Sequence, residues 1–176
     1  SDVCSSDLLV DQVKLRPGAR GREFHPAMAT QIEPDLTEDQ VRIITIKSAH
    51  GPTAAMEVNG QLLFAAGLFT MSREYTEAWT IINPILKHKY PILLTRKIKR
   101  ILDIHAISEG LRSVFMYVEC GRKDAQAWAY SLGFEPTGEI LNYANPGAGV
   151  FIFTKDFNHG PSNSIYSGRR NRQDGD

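Results

Sequence analysis

The sequence predicts a single α+β (α/β) domain built on a mixed β-sheet, and three observations carry that expectation. Asn59-Gly60 lies between two apolar runs in "TAAMEVNGQLLFAAGLFTM", the strongest short signal for an antiparallel hairpin. The stretch from Trp79 to Val118 reads strand, helix, strand, and the right-handed crossover of such a unit makes its two strands parallel. The segments "TGEILNYA" and "GVFIFTKDF" then read as a closing antiparallel pair. A sheet with both kinds of neighbour, interleaved with helices, follows.

Taken in order, "LLVDQVKL" (residues 8–15) alternates as a strand would, and Pro17-Gly18 stops it. Residues 23–32 suit a short helix ended by Pro34. Thr37 followed by Glu38, Asp39 and Gln40 has the form of a capped helix start with acidic residues in the first turn. The run "VRIITI" that follows is β-branched and suits a strand equally, so helix and strand both stand at this point. The hairpin strands fall at residues 53–58 and 62–70, and a third strand at 77–84 ends on a proline. In "TRKIKRILDIHAISEG" the apolar residues Ile98, Ile101, Leu102 and Ile107 recur at helical spacing, which predicts a helix over 97–108 stopped by Gly110. His105 lies on its apolar side, as a core histidine would. "RSVFMYVEC" reads as a strand and "KDAQAWAYSLGF" as a helix ending at Gly133. From Asn158 the chain turns polar and glycine-rich, the composition of a disordered tail over 158–176.

Composition narrows the function. The 176 residues are 42% hydrophobic and 23% charged, with 20 Lys plus Arg against 20 Asp plus Glu. Zero net charge argues against a generic nucleic-acid or membrane-surface binder. The basic stretches "KHKY" and "TRKIKR" have no aromatic stacking platform beside them, which speaks further against nucleic acid. The two cysteines, Cys4 and Cys120, build no disulfide framework, so a reducing cytoplasm is the expected setting. Apolar runs such as "LLFAAGLF" are too short to cross a bilayer. No metal-ligand cluster, P-loop or nucleophile elbow occurs. The opening "SDVCSSDL" reads back into codons as TCA GAC GTG TGC TCT TCC GAT CT, a common short-read sequencing adapter translated in one frame. Residues 1–8 are therefore expected to be an artefact of metagenomic assembly. The domain would then span 9–157, with the original start either lost upstream, as the strand expected at 8–15 favours, or at Met28.

The stretch "AQAWAYSLGFEPTGEI" resembles the second half of a GNAT-family N-acetyltransferase, where a helix of small and aromatic residues ends in Gly-Phe and leads into the sixth strand. The hairpin "MEVNGQLLFAAGLF" likewise resembles the family's second and third strands, and the nearest flavour is the divergent set encoded by tailed bacteriophages. The resemblance covers residues 9–157 in element order, but its sequence-specific part is short: the hairpin and Leu132-Gly133-Phe134. It implies a GNAT-like mixed central sheet, flanked by helices, whose parallel strands four and five splay apart. Acetyl-CoA would lie in the splay as co-substrate, its pantetheine arm along Ile81, Ile82 and Asn83. Its pyrophosphate would sit at the next helix start, around Thr95.

The family's glycine-rich phosphate loop is replaced by "NPILKHKYPILLTRK", which has no glycine. Lys87, His88 and Lys89 either supply the missing attraction as side-chain charge or form a solvated basic loop. The family's helix-opening Asn falls at Arg122, and its proton-donating Tyr at Ala129, beside Trp128 and Tyr130. By the resemblance, Tyr130 would serve the departing thiolate if the helix is rotated slightly; otherwise Trp128 and Tyr130, facing about 100° apart, divide between core and surface. Glu77 would take the proton of an attacking amine, unless it is simply a solvated strand-end carboxylate. Two functions result. One is an N-acetyltransferase moving acetyl from acetyl-CoA to an unknown amine acceptor. The other is a GNAT-fold bacteriophage protein without cofactor, an internal virion or host-interaction component. Neither requires a membrane.

Overall fold

At the centre of the molecule the hairpin forms as its turn residues require: Asn59 and Gly60 both take positive φ, 51° and 80°, the combination a two-residue turn needs. They join β2 (Thr53–Val58) to β3 (Gln61–Thr70) in antiparallel register. The computed structural model describes residues 18–141 and 149–157. The strand expected at 8–15, the opening octapeptide and the tail beyond 157 lie outside the described residues. Within them the first strand of the sheet is β1 (Ala19–Arg22), antiparallel to β2 and joined to the hairpin by Asn59 N–H donating to Gly18 O at 2.7 Å.

Residues 23–32 do not form one helix. A 3-10 turn at Pro26–Met28, whose first residue has no N–H to give, leads into α1 (Ala29–Ile32). The helix–strand ambiguity of "VRIITI" resolves to helix α2 (Glu38–Ser48). Its start is a reciprocal capping box: Gln40 N–H donates to Thr37 Oγ1 at 3.3 Å, and Thr37 N–H donates to Gln40 Oε1 at 2.8 Å. Ile44 is buried against the sheet while Ile43 and Ile46 stay exposed, so one helical face, not a β-branched run, decides the packing.

Strand β4 (Thr76–Ile82) pairs antiparallel with β3. The basic stretch after it is not a loop: Leu86–Lys89 make one helical turn, α3, and the long helix α4 spans Pro91–Ser108. That helix begins well before residue 97 because Pro91 suits the first helical position, where the missing N–H costs nothing. Next come β5 (Ser113–Glu119), α5 (Lys123–Ser131), β6 (Glu135–Ile140) and β7 (Val150–Asp156). Helix α5 ends as its sequence predicts, with Gly133 at φ 91° and Phe134 N–H returning to Ala129 O at 3.1 Å.

The described strands form one seven-stranded sheet in the order β1-β2-β3-β4-β5-β7-β6. The larger core lies between the sheet and helices α4 and α5, including Leu63, Phe64, Ile98, Leu102, Val114, Leu132, Phe134 and Phe153. The smaller core lies on the opposite face under α1 and α2, around Phe24, Ile32, Ile44, Trp79 and Ile81. Strands β3 and β4 are covered on both faces, which is why "LLFAAGLF" reads as a continuous apolar run without alternation. The exposed strand β6 is an edge, guarded by Pro136 and an irregularity between Pro136 and Gly138.

Candidate functional site

The parallel pair β4–β5 sets the site. Its register holds one matched position, Glu77 opposite Phe115, beyond which the strands have no paired residues. Strand β4 stays zipped to β3 along its whole length, from Thr70↔Thr76 to Phe64↔Ile82. Asn83 N–H extends that ladder, donating to Leu63 O at 2.8 Å. In an antiparallel ladder, residues alternate between bonding the partner and pointing away. Asn83, Ile81, Trp79 and Glu77 therefore turn their amides toward β3, while Ile82, Thr80 and Ala78 turn theirs toward the gap beside β5. Of the two isoleucines proposed for a pantetheine arm, Ile82 offers its amide and Ile81 does not. Thr80, which the sequence reading passed over, does.

At the closed end of the gap stands Glu77, which is 7% exposed. Its carboxylate forms a salt bridge with Lys47 Nζ from the last turn of α2. The solvated strand-end reading of Glu77 is therefore excluded: the group is buried and charge-paired. Beside it an aromatic wall runs along the same sheet face. Tyr75 and Phe115 rings lie 4.8 Å apart, Phe115 and Tyr117 5.4 Å apart, and the Tyr75 and Tyr117 hydroxyls 3.3 Å apart. The hydrogen bond with Tyr75, burial and the nearby Glu77 carboxylate push the Tyr117 phenol up to about 12. Tyr117 thus stays a neutral O–H at any working pH. The ring of Trp79 packs 5.5 Å from that of Phe24, and its indole N–H is buried with no partner among the described residues.

The open end is built differently. Asn83 Oδ1 accepts from Ile85 and Leu86 N–H, both at 3.0 Å, and its Nδ2 donates to Leu62 O at 3.3 Å. Its side chain closes its own turn, with both acceptor sites of Oδ1 taken. Lys89 and His88 are exposed, and Lys89 Nζ rests 5.4 Å from the Tyr90 ring. Thr95 is not at a helix start. It lies a full turn inside α4, donating to Pro91 O at 2.9 Å and accepting from Trp128 Nε1 at 3.0 Å. That indole ties α4 to α5 on the helical side of the gap. The amides at the true start belong to Ile92 and Leu93, since Leu94 N–H is the first to bond back, to Tyr90 O at 2.9 Å.

Arg122 precedes α5 and forks onto Asp124 with two bonds of 2.9 Å, an arrangement that holds the Asp124 carboxyl well below the usual carboxylate range. Lys87 contributes to the same depression, which puts its charge near the start of α5. Tyr130 packs its ring 5.3 Å from Phe153 on β7, so it lies beyond β5 from the gap and is 55% exposed. The family's tyrosine position, Ala129, is fully buried. A cavity of about 280 Å³ borders the first turn of α4, lined by Val58, Asn59, Lys89, Tyr90, Ile92 and Leu93 among others. The cavity thus joins the start of α4, with Lys89, Ile92 and Leu93, to Val58 and Asn59 of the hairpin.

The structure thus brings Glu77, Lys47, Tyr75, Phe115 and Tyr117 together at one end of the gap. It places Lys87, Arg122 and the amides of Ile92 and Leu93 at the other. Lys47 carries no local signal in the sequence, because its partner is far away along the chain. Tyr117 was findable from its spacing, since Phe115 and Tyr117 share a strand face.

A seven-stranded mixed sheet with one parallel pair that opens beyond its first residues, flanked by helices on both faces, is the GNAT fold. No protein-family profile and no curated protein sequence matches the chain. Solved structures do. The ribosomal-protein-S18-alanine N-acetyltransferase of Escherichia coli is 12% identical, with a TM-score of 0.64 over 84% of this chain and 99% of its own. The protein yncA of Salmonella typhimurium, in a structure with its cofactor acetyl-CoA, is 16% identical, with a TM-score of 0.62 over 85% and 99%. Ard1 of Thermoplasma volcanium is 13% identical, with a TM-score of 0.65 over 81% and 99%. At these identities the likeness is one of fold. Among the described residues no helix is long and apolar enough to cross a membrane.

Proposed function

We propose that the protein is an N-acetyltransferase that moves the acetyl group of acetyl-CoA to a primary amine. The observation that carries this reading is a buried carboxylate, Glu77, at the vertex where β4 and β5 part. The residues present fit the co-substrate at one end: the outward amides of Thr80 and Ile82 suit a pantetheine arm laid along β4. Toward its phosphates the fit is looser, with Lys87, Lys89 and the amides of Ile92 and Leu93 in place of glycine-supported backbone. Glu77 takes a proton from the amine as nitrogen bonds the thioester carbonyl carbon. The C–S bond breaks, and the thiolate regains a proton from water or from a phenol. Tyr117 stands beside the vertex, whereas Tyr130 is turned onto β7. Direct transfer of this kind needs no protein nucleophile.

Titration calorimetry with acetyl-CoA tests the reading. Exposed lysine contacts contribute only about a kcal/mol each and are screened by salt, so binding should be weak and strongly salt-dependent. Lys87→Ala with Lys89→Ala should remove most of it. Absence of binding at low salt would leave the second reading, a non-catalytic protein of the same fold in a virion or host-interaction role. One observation favours that alternative: Asn83 occupies the amides at the head of α3 with its own side chain.

A further inference from the structure

We propose that Lys47 is itself an acetyl acceptor, so that the protein acetylates its own α2 lysine in cis with Glu77 as proton acceptor. The inference rests on acetyl-CoA occupying the β4–β5 gap as proposed above. Lys47 presents a primary amine in direct contact with Glu77, the carboxylate at the vertex of that gap. An external amine acceptor would have to reach the same carboxylate, so the Lys47 ammonium already stands where the reacting nitrogen is wanted. Its side chain is 22% exposed, enough to keep it in contact with solvent, and that of Glu77 is 10% exposed. The other well-buried lysine of an ion pair, Lys155, sits on the opposite face, held by Asp103 at 2.5 Å and by Leu132 O at 3.0 Å.

The step balances. The Lys47 ammonium gives one proton to Glu77, which exposes the nitrogen lone pair. The nitrogen bonds the thioester carbonyl carbon, and the C–S bond breaks with its electron pair leaving on sulfur. The second nitrogen proton ends on that thiolate to give the free thiol of CoA, and Glu77 releases its proton to water. The product is a neutral amide at Lys47. Glu77 has then lost its charge partner, and an incoming ammonium can take the vacated place. Self-acetylation would thus prime the site for an external amine.

The test incubates the full chain with acetyl-CoA at mildly alkaline pH and follows it by intact mass and peptide mapping, with calorimetry on the same sample. The expected result is one acetyl group per chain, on Lys47, appearing at least about tenfold faster than labelling of the exposed Lys99 and Lys123. The rate per molecule should not depend on protein concentration. Lys47→Arg keeps the charge pair and should take up no rapid acetyl group, and Glu77→Gln should slow Lys47 labelling about a hundredfold. Acetic anhydride, which needs no binding site, should show no preference for Lys47. Acetyl-CoA binding without Lys47 modification, labelling no faster than at Lys99, or a rate that rises with protein concentration each overturns the inference and leaves the acetyltransferase reading standing. Absence of binding in the calorimeter overturns both.

Discussion

At the closed end of the β4–β5 gap, Glu77 is buried, pinned by Lys47 and flanked by Phe115 and Tyr117. At the open end, Lys89 and His88 lie at the surface, and Asn83 turns its side chain back on its own backbone. The closed end is held by contacts between three separate elements, α2, β4 and β5, so its geometry is set before any ligand arrives. The open end relies on long flexible cations, which must be ordered on binding. On the acetyltransferase reading proposed above, this contrast predicts chemistry that is preorganised at Glu77 and a co-substrate that is held weakly.

The comparison breaks most sharply at Glu77. Glu77→Gln keeps the shape of the side chain and removes its basicity, so kcat/KM should fall roughly a thousandfold while the circular dichroism spectrum is unchanged. A loss of only a few-fold would move the proton acceptor elsewhere.

Acid tests the helical side that both ends share. Burial inside α4 lowers His105 to about 4 from its ordinary 6.5, and its Nε2 has no partner among the described residues. The unfolded chain then binds the proton more readily than the folded one between those values. Stability is complete above pH 6.5 and falls as pH drops toward 4, by on the order of 3 kcal/mol. Urea titrations at several pH values would register the slope, and His105→Leu should flatten it.

Lys47→Ala leaves the Glu77 carboxylate buried without its partner. The pair is not fully enclosed, so the expected cost is about 2 kcal/mol, read as a lower urea midpoint. Lys47→Arg should recover most of it.

The smallest of these effects belongs to the open end. Asn83→Ala deprives Ile85 and Leu86 of their acceptor and should cost about 1 kcal/mol, the usual value of a lost cap. If those freed amides instead tighten acetyl-CoA binding, the contrast between the two ends is one that Asn83 itself imposes.

Much of this was legible along the chain, wherever a few neighbouring residues decide the backbone. The Asn59-Gly60 hairpin, the Thr37–Gln40 capping box, the glycine stops after α4 and α5 and the parallel crossover all follow from φ preferences, orphan amides and handedness. The start of α4 was not, because a proline reads locally as a breaker and becomes a helix opener only when the preceding turn is in place. Nor was the packing of Tyr130. Its neighbours on α5 specify the helix, but only the docking of that helix over β7 decides which ring meets Phe153.

Tertiary structure alone decided what Glu77 meets. Lys47 meets Glu77 across 30 residues of sequence, on elements that touch because α2 covers β4. The gap exists because β5 is held by β7 along its whole length and matches β4 at a single position. Local preferences act through one or two dihedrals and a neighbouring hydrogen bond, so a short stretch of sequence carries them. The meeting of a charge with its partner depends on how whole layers pack, and no short stretch contains that.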